Sequence, residues 1–162
     1  MLFIFLMLEG FFMCFLLLLT LVIGIANGPE KMVIMYEKDV QERALSLGLT
    51  TKNKMKKSFF VTLISLYLPI LILIPAMVCF INGARGFFDI FWQTSVVALI
   101  PNLFDRLFID WWWVGKTKAW NIAGTEDLKP YIPKKILIFK WIGTIILTPL
   151  MASVSALIFM WF

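Results

Sequence analysis

The sequence predicts an all-α polytopic membrane protein, with four transmembrane helices in an antiparallel bundle and one amphipathic helix on the cytoplasmic side. Apolar residues make up 61% of the 162 residues and charged residues only 15%. The mean hydropathy is +0.90, which is outside the usual range of soluble domains. The apolar residues gather in four blocks, at about 2–25, 58–81, 87–112 and 136–161. Each block exceeds the roughly 20 residues that a helix needs to cross the hydrocarbon core, so residues 1–162 are predicted to form a single four-helix transmembrane domain.

Basic residues are distributed very unevenly between the predicted loops. Of the fifteen Lys and Arg residues, seven lie in the first long loop, 26–57, and seven lie in or beside the second long loop, 113–135. Only Arg85 lies in the short turn between spans two and three. The positive-inside rule therefore predicts cytoplasmic long loops and outside termini. We expect the protein in the plasma (inner) membrane. We interpret the basic charge as attraction to anionic lipids rather than to nucleic acid.

Span one carries a single charge, Glu9, about 12 Å from its outer end at 1.5 Å per residue. The span lacks the basic start of a signal peptide and is predicted to stay in the mature chain. Two interpretations of Glu9 stay open. It either lies near the interface, protonated or reaching towards water, or it is the proton-titrating group of a transporter.

The residue inventory limits the metal and cofactor chemistry of the chain. The two cysteines, Cys14 and Cys79, fall inside predicted spans, where a thiol behaves as a small apolar side chain. The chain has no histidine, which excludes haem bound through histidine and histidine-containing zinc or iron sites. We therefore predict no cofactor and no metal site.

The first long loop begins with an amphipathic pattern. Pro29 is placed as a first-turn proline and Gly48 is placed to end a helix. The polar face mixes charges of both signs, including an Asp39–Arg43 pair at i, i+4, which favours a helix docked on its own bundle or on a partner over one lying on lipid. The apolar residues recur at steps of three and four: Val33, Tyr36, Val40, Ala44 and Leu47.

Spans two and four contain features that affect helix packing. Pro69 and Pro75 in span two each remove a backbone hydrogen bond and predict a kinked helix. In span four, Ala152 and Ala156 form a small-xxx-small pair that suits packing within the chain or between copies. Lys140 lies one turn inside span four and is expected to extend back to the cytoplasmic surface.

Span three contains the most informative stretch of the chain. Asn102, Asp105, Arg106 and Asp110 lie within nine residues of otherwise apolar helix, and three tryptophans starting at Trp111 follow. At 100° per residue these polar side chains share one face, and Arg106 and Asp110 are spaced to pair at i, i+4. Charged groups at membrane depth are costly and usually functional.

Two interpretations of this span-three cluster stay open. In the first, Arg106 and Asp110 form an internal ion pair, and the tryptophans belong to an aromatic belt at the interface. In the second, the cluster binds a polar headgroup or a substrate, and Trp111 with its two neighbours covers the apolar part. In both, Asp105 is available to accept a hydrogen bond from Asn102 or from a lysine of the last loop.

Two acidic residues of the second long loop, Glu126 and Asp127, are predicted to return to the same mouth as the span-three carboxylates. Gly124 offers a turn directly before them. Four carboxylates together would suit Mg²⁺ with phosphate oxygens. Pairing with nearby lysines is the expected alternative, and the candidates are Lys116, Lys118 and Lys129.

The stretches FDRLFIDWWW and IAGTEDLKPY resemble the pattern FD…DW…PGTE of a group of small, uncharacterised bacterial four-helix membrane proteins. The resemblance covers roughly 30 of the 162 residues, and Ala123 stands where the pattern has proline. It implies a bacterial membrane protein and no particular activity. It emphasises one set of residues: Asp105, Asp110, Trp111, Gly124, Thr125 and Glu126.

The sequence thus favours a binding or assembly protein with a polar site at the cytoplasmic end of span three, for a lipid headgroup, an amphiphile or a partner. Two alternatives stay open: an oligomeric proton-coupled small-molecule exporter using Glu9 or Asp105, and a membrane enzyme acting on a lipid phosphate. The enzyme is less favoured, because the chain has no serine, cysteine and histidine constellation. Expected partners are the bilayer, its anionic lipids, and another copy or another membrane protein. The candidate site residues are Asn102, Asp105, Arg106, Asp110, Trp111, Glu126 and Asp127.

Overall fold

The structure, a computed structural model, describes residues 1–161, and the last residue of the predicted domain, Phe162, lies outside this range. Over the described residues the chain is helical and contains no strand. Four helices are long and apolar enough to cross a membrane. This agrees with the prediction of an all-α, multi-pass membrane protein.

The four spans begin and end close to the predicted positions. Span one is Leu2–Ile25, with the predicted bounds. Span two, Lys52–Phe80, begins at residue 52 rather than 58, because Thr51 caps the helix and its hydroxyl accepts a backbone N–H three residues on at 3.3 Å. Span three is Gly86–Val114 and span four is Lys134–Phe159.

Two of the spans change their helical winding partway along. In span two, a π-helical segment, Pro69–Leu73, separates two α-helical parts. In span three, the α-helix Gly86–Phe104 continues as a π-helical segment, Asp105–Val114. A π-helix closes its hydrogen bonds between residues i and i+5 instead of i and i+4. The proline-containing part of span two therefore changes its winding where a kink was expected.

Span three packs against each of the other three spans. Spans one and three approach closely at Gly10, where a Cβ would lie 2.2 Å from Cδ1 and 2.8 Å from Cβ of Ile100. Ala152 and Ala156 are both buried, so the small-xxx-small pair of span four packs within the chain. One buried apolar cluster contains residues of all four spans, among them Leu6, Met13, Val78, Ile90, Val97 and Ala156.

The first long loop forms two short helices, so the prediction of one continuous helix from residue 29 to residue 48 is wrong. A 3₁₀ helix covers Pro29–Met35 and an α-helix covers Lys38–Ser46. The backbone between them is extended at Tyr36, with ψ of 167°. In this position the Tyr36 hydroxyl donates to the backbone carbonyl of Trp120 at 2.6 Å. Burial raises the pKa of Tyr36, so the hydroxyl keeps the proton that it donates.

The predicted apolar stripe of this loop faces inward except at its end. Val33, Val40 and Ala44 are buried, as is Tyr36, whereas Leu47 is 48% exposed. The loop therefore docks on the rest of the protein through side chains that the helical periodicity identified. Although the helix is interrupted, both short helices bury their apolar side chains in the same apolar cluster.

The second long loop folds against the first and completes this shared cluster. Trp120, Ile122, Thr125 and Tyr131 are buried in it. The Thr125 hydroxyl donates to the Ile122 carbonyl at 2.8 Å and lies 2.9 Å from the Tyr131 hydroxyl. Tyr36 meets Tyr131 edge to face, with ring centroids 5.2 Å apart. The two long loops thus form one packed layer at one end of the spans.

The predicted Asp39–Arg43 pair does not form. Arg43 instead pairs with Asp127 of the second long loop at 3.1 Å and donates to the Gly124 carbonyl at 3.3 Å. Asp39 accepts the backbone N–H of Val40 at 2.8 Å. The i, i+4 rule describes isolated helices, whereas here a partner from another loop lies within reach of the arginine.

Candidate functional site

The polar cluster of span three lies in the π-helical segment Asp105–Val114. In an α-helix, Asp105 and Asp110 would lie 140° apart at 100° per residue. Within this segment both carboxylates contact the guanidinium of Arg106, which directly follows Asp105 in the chain and lies four residues before Asp110.

Arg106 is held between two carboxylates. Its NH1 group donates to Asp110 and its NH2 group to Asp105, so the predicted Arg106–Asp110 pair is confirmed. Asp110 is the most deeply buried of the three, with its side chain 4% exposed against 11% for Arg106 and 23% for Asp105. Charges buried to this degree must be paired, and the π segment supplies the partners.

Span four contributes a second cation to the cluster. Lys140 Nζ donates to Asp110 Oδ1 at 2.7 Å, and the lysine side chain is 36% exposed. Lys140 thus remains partly exposed and also has an ion-pair partner inside the bundle, which the sequence did not indicate. The cluster contains two cations and two carboxylates, because Asp110 accepts from both Arg106 and Lys140 while Asp105 accepts from Arg106 alone.

Asn102 links span three to span four one turn before the cluster. Its side-chain amide donates to Thr148 Oγ1 at 2.8 Å. Asn102 was expected to be a possible donor to Asp105, but its bond goes to the other helix. Together with Lys140–Asp110, it gives spans three and four two polar contacts within the apolar interior.

Trp111, a candidate site residue, lies on the outside of the protein. It is 55% exposed, and Lys116 Nζ lies 4.2 Å from its ring centroid. The cover predicted for the cluster is therefore not made by Trp111, whose position suits an aromatic belt. Trp113 instead packs edge to face on Trp120 of the second long loop, at 5.3 Å between centroids.

The two loop carboxylates have partners of their own. Asp127 pairs with Arg43, and Glu126 accepts the backbone N–H of Gly124 at 2.9 Å. Among the described residues, no group of three or more acidic, cysteine or histidine side chains is placed to hold a metal ion. The two loop carboxylates therefore do not join Asp105 and Asp110 in the four-carboxylate site considered from the sequence. Asp127 pairs with Arg43 instead of the expected lysines.

Two cavities meet at the span-three cluster. The larger is an open groove of about 720 Å³ between spans two, three and four. The smaller, of about 130 Å³, lies between spans one, two and three, and is large enough for several water molecules. Arg106 lines both cavities, Lys140 lines the groove, and Asp105 lines the smaller cavity.

The lining of the groove is apolar along most of its length and cationic at one end. Its charged lining residues are Arg106 and Lys140. Arg106 Nε is buried and has no hydrogen-bond partner among the described residues, and a buried donor without a partner costs about 1–3 kcal/mol or more. Apart from the amide of Asn102, the rest of the lining is apolar or carries single hydroxyl groups, and includes Ile70, Thr94, Ala98, Gly143, Leu147 and Ser155.

Glu9, the other candidate ionisable residue, lies far along the chain from this cluster, near the N-terminal end of span one. It is 7% exposed, so it does not reach towards water. Its Oε2 accepts from the side-chain amide of Asn82, in the turn after span two, at 3.1 Å. Asn82 gave no distinctive signal in the sequence, because a lone asparagine in a turn is common.

No protein-family model, curated protein or solved structure matches this chain. The function must therefore be argued from the site itself.

The structure gives the residues of the GTE pattern definite local roles. Gly124 has φ of +80°, and a Cβ there would lie 2.7 Å from Leu47 Cδ1, so the loop requires glycine. Thr125 is fully buried, and the Glu126 carboxylate closes the turn onto the Gly124 N–H. Sequence reasoning placed Tyr36 on an apolar stripe but missed its aromatic partners in the second long loop, Trp120 and Tyr131, for which the signal was two aromatic side chains in a loop otherwise rich in charge.

Proposed function

We propose that this multi-pass membrane protein binds an amphiphile with an anionic headgroup in the groove between spans two, three and four. The headgroup would contact Arg106 and Lys140, and the apolar tail would follow the groove between the spans. The observation that carries the proposal is the buried Nε of Arg106, a charged donor with no partner among the described residues, on a side chain that lines the groove.

The size of the groove suits an amphiphile. Its volume of about 720 Å³ falls within the roughly 300–1,000 Å³ typical of small-molecule sites. On span three, the lining extends from Thr94 to Arg106, twelve steps along the helix or about 18 Å at 1.5 Å per residue. The groove thus follows a large part of the roughly 30 Å hydrocarbon core, and its cationic end lies towards the long loops.

Charge supports an anionic headgroup over a cationic one. Arg106 and Lys140 line the groove, whereas Asp110 is buried behind them and Asp105 faces the smaller cavity. A phosphate or carboxylate oxygen at the groove end would satisfy Arg106 Nε through a charge-assisted hydrogen bond. The carboxylates keep the two cations in place when the groove holds no headgroup.

The placement in the membrane is part of the same proposal. The fourteen-to-one distribution of basic residues supports cytoplasmic long loops and outside termini, in a bacterial plasma membrane of the kind that the FD…DW…GTE resemblance implies. Asp110 near the end of span three meets Lys140 near the start of span four, which supports an antiparallel bundle. The helix Lys38–Ser46, with Val40 and Ala44 buried, would be its amphipathic cytoplasmic helix.

Proton-coupled export is the second candidate function, and the burial of Glu9 favours it, since intramembrane carboxyl groups often carry protons. An exporter would need an oligomer to enclose a path. Catalysis on a lipid phosphate gains no support from the geometry, because Glu126 and Asp127 lie with other partners.

Native mass spectrometry tests the amphiphile proposal. The protein is reconstituted in vesicles of phosphatidylcholine with phosphatidylglycerol and gently released, and the retained lipid is identified. We expect retained phosphatidylglycerol in the wild type, and about tenfold less in Lys140→Gln, because a hydrogen bond to a charged group contributes about 1.5–3 kcal/mol. The matched control is Lys116→Gln, which removes the same charge from a lysine that contacts Trp111 and does not line the groove.

Three results would contradict the proposal: no retained lipid, equal retention of phosphatidylcholine and phosphatidylglycerol, or equal losses in the two lysine variants. Lys140→Gln leaves Asp110 paired with Arg106, so the variant is expected to fold. Its melting behaviour is recorded in the same preparation to check this.

A further inference from the structure

The outer ends of spans one and two meet at a pair of polar side chains that the groove does not include. Asn82 Nδ2 donates to Glu9 Oε2 at 3.1 Å. The other oxygen of each side chain, Glu9 Oε1 and Asn82 Oδ1, is buried and has no hydrogen-bond partner among the described residues. If Glu9 is ionised, this side-chain pair therefore contains two buried acceptor oxygens without donors. Leaving a buried acceptor without a donor costs folding free energy.

A single proton on Glu9 would satisfy both atoms. A protonated carboxyl group has one O–H donor in addition to its acceptor oxygen. Carried on Oε1, the proton can be donated to Asn82 Oδ1 while Asn82 Nδ2 continues to donate to Oε2. The carboxyl and the amide would then be joined by two hydrogen bonds in a closed ring, with no unpaired polar atom.

The charged groups around Glu9 are engaged elsewhere. Arg85 donates to the backbone carbonyls of Cys79 and Ala84 at 3.0 Å. Asp89 accepts from the Gln93 amide at 2.8 Å, from the Trp92 indole and from the Arg85 backbone N–H.

The other elements near Glu9 supply no cationic side chain either. The further titratable side chains of span one and of the outer part of span two are the buried thiols of Cys14 and Cys79. Span four has no ionisable side chain between Lys140 and its C-terminal end. Over the described residues Glu9 forms no ion pair, so a buried carboxylate there would be an uncompensated charge.

We propose that Glu9 is a proton-binding site, in which the protonated carboxyl group donates to Asn82 Oδ1 and fixes the turn after span two to span one. The proton comes from water on the side of this turn. It can return there only when the turn moves and Glu9 becomes hydrated, because the ionised form needs a solvent or cation partner. The proton site is independent of amphiphile binding at Arg106.

Infrared spectroscopy of the protein in phosphatidylcholine vesicles at neutral pH tests this assignment. We expect the carbonyl stretching band of a protonated, hydrogen-bonded carboxylic acid in the wild type and its loss in Glu9→Gln. Glutamine keeps the shape of the protonated acid and can form both hydrogen bonds with Asn82, so this variant is expected to melt like the wild type.

Asn82→Ala provides a second test that keeps the acid. The band should persist in this variant and move towards the position of a carboxylic acid without a partner. Absence of the acid band in the wild type would overturn the proposal in favour of an ionised Glu9 satisfied by water or a bound cation. A band that survives unchanged in Glu9→Gln would also overturn it, because the proton would then belong to another carboxyl group.

Discussion

Substituting Asp110 with Asn tests the central ion cluster most directly. The Asp110 side chain is 4% exposed and accepts from both Arg106 and Lys140. Asparagine has almost the same shape but carries no charge, and its one acceptor oxygen can face only one of the two cations. Arg106 would keep Asp105 as a partner, whereas Lys140 would lose its only ion pair among the described residues.

The expected loss of stability follows from this geometry. Removing one partner of a buried ion pair typically costs about 3–5 kcal/mol. Because Arg106 keeps Asp105 and Lys140 is 36% exposed, we expect a loss near the lower end, about 3 kcal/mol. At about 2–4 °C per kcal/mol for a chain of this size, Tm should fall by about 6–12 °C.

The chain supplies its own assay for this melting temperature. Its two cysteines, Cys14 and Cys79, are free and buried in spans one and two, so a thiol-reactive dye reports their exposure on heating in detergent. Asp127→Asn is the matched control, because Asp127 is 61% exposed and its ion pair with Arg43 is a surface pair worth about 0–1 kcal/mol.

The double variant Asp110→Asn with Lys140→Met isolates the role of the unpaired cation. It removes the lysine charge that the single variant leaves without a carboxylate, so part of the lost stability should return. If Asp110→Asn melts with the wild type, or falls no further than Asp127→Asn, the cluster does not contribute as a buried ion network and the reasoning is refuted.

Two further predictions concern the loops and their placement. Gly124→Ala should lower Tm more than Gly83→Ala. Both glycines have positive φ, and the backbone strain common to both variants is about 1–2 kcal/mol, but only at Gly124 would the added Cβ meet a neighbouring side chain, that of Leu47. Equal shifts of Tm in the dye assay would contradict docking of the two loops at this point. A reporter enzyme fused to the C-terminus should be active outside the cytoplasm, and cytoplasmic activity would overturn the topology.

The spans were predictable from the sequence. Of the layer formed by the two long loops, the inward face of the first loop was predictable, but its partner in the second loop was not. Apolar blocks of span length need no tertiary information, and periodicity identified Val33, Val40 and Ala44 as an inward face. The partner of that face could not be inferred, because it is built from Trp120 and Tyr131, in a loop without helical or strand periodicity. The pairing predicted for Arg43 was wrong for the same reason, because its partner Asp127 lies in the other loop.

The span-three cluster shows where helical-wheel reasoning fails. The wheel placed the polar residues on one face and correctly paired Arg106 with Asp110, since i, i+4 neighbours stay close in both windings. It left Asp105 with Asn102 or a loop lysine as the expected donor, whereas the donor is Arg106. In the structure both carboxylates contact one guanidinium within a π-helical segment that the sequence did not predict. Proline alone does not predict such a segment: Pro69 begins one, whereas Pro149 lies inside a continuous α-helix. The charges do not predict the segment either, because Arg106 contacts its chain neighbour Asp105 and its i, i+4 partner Asp110, and both separations exist in an α-helix as well.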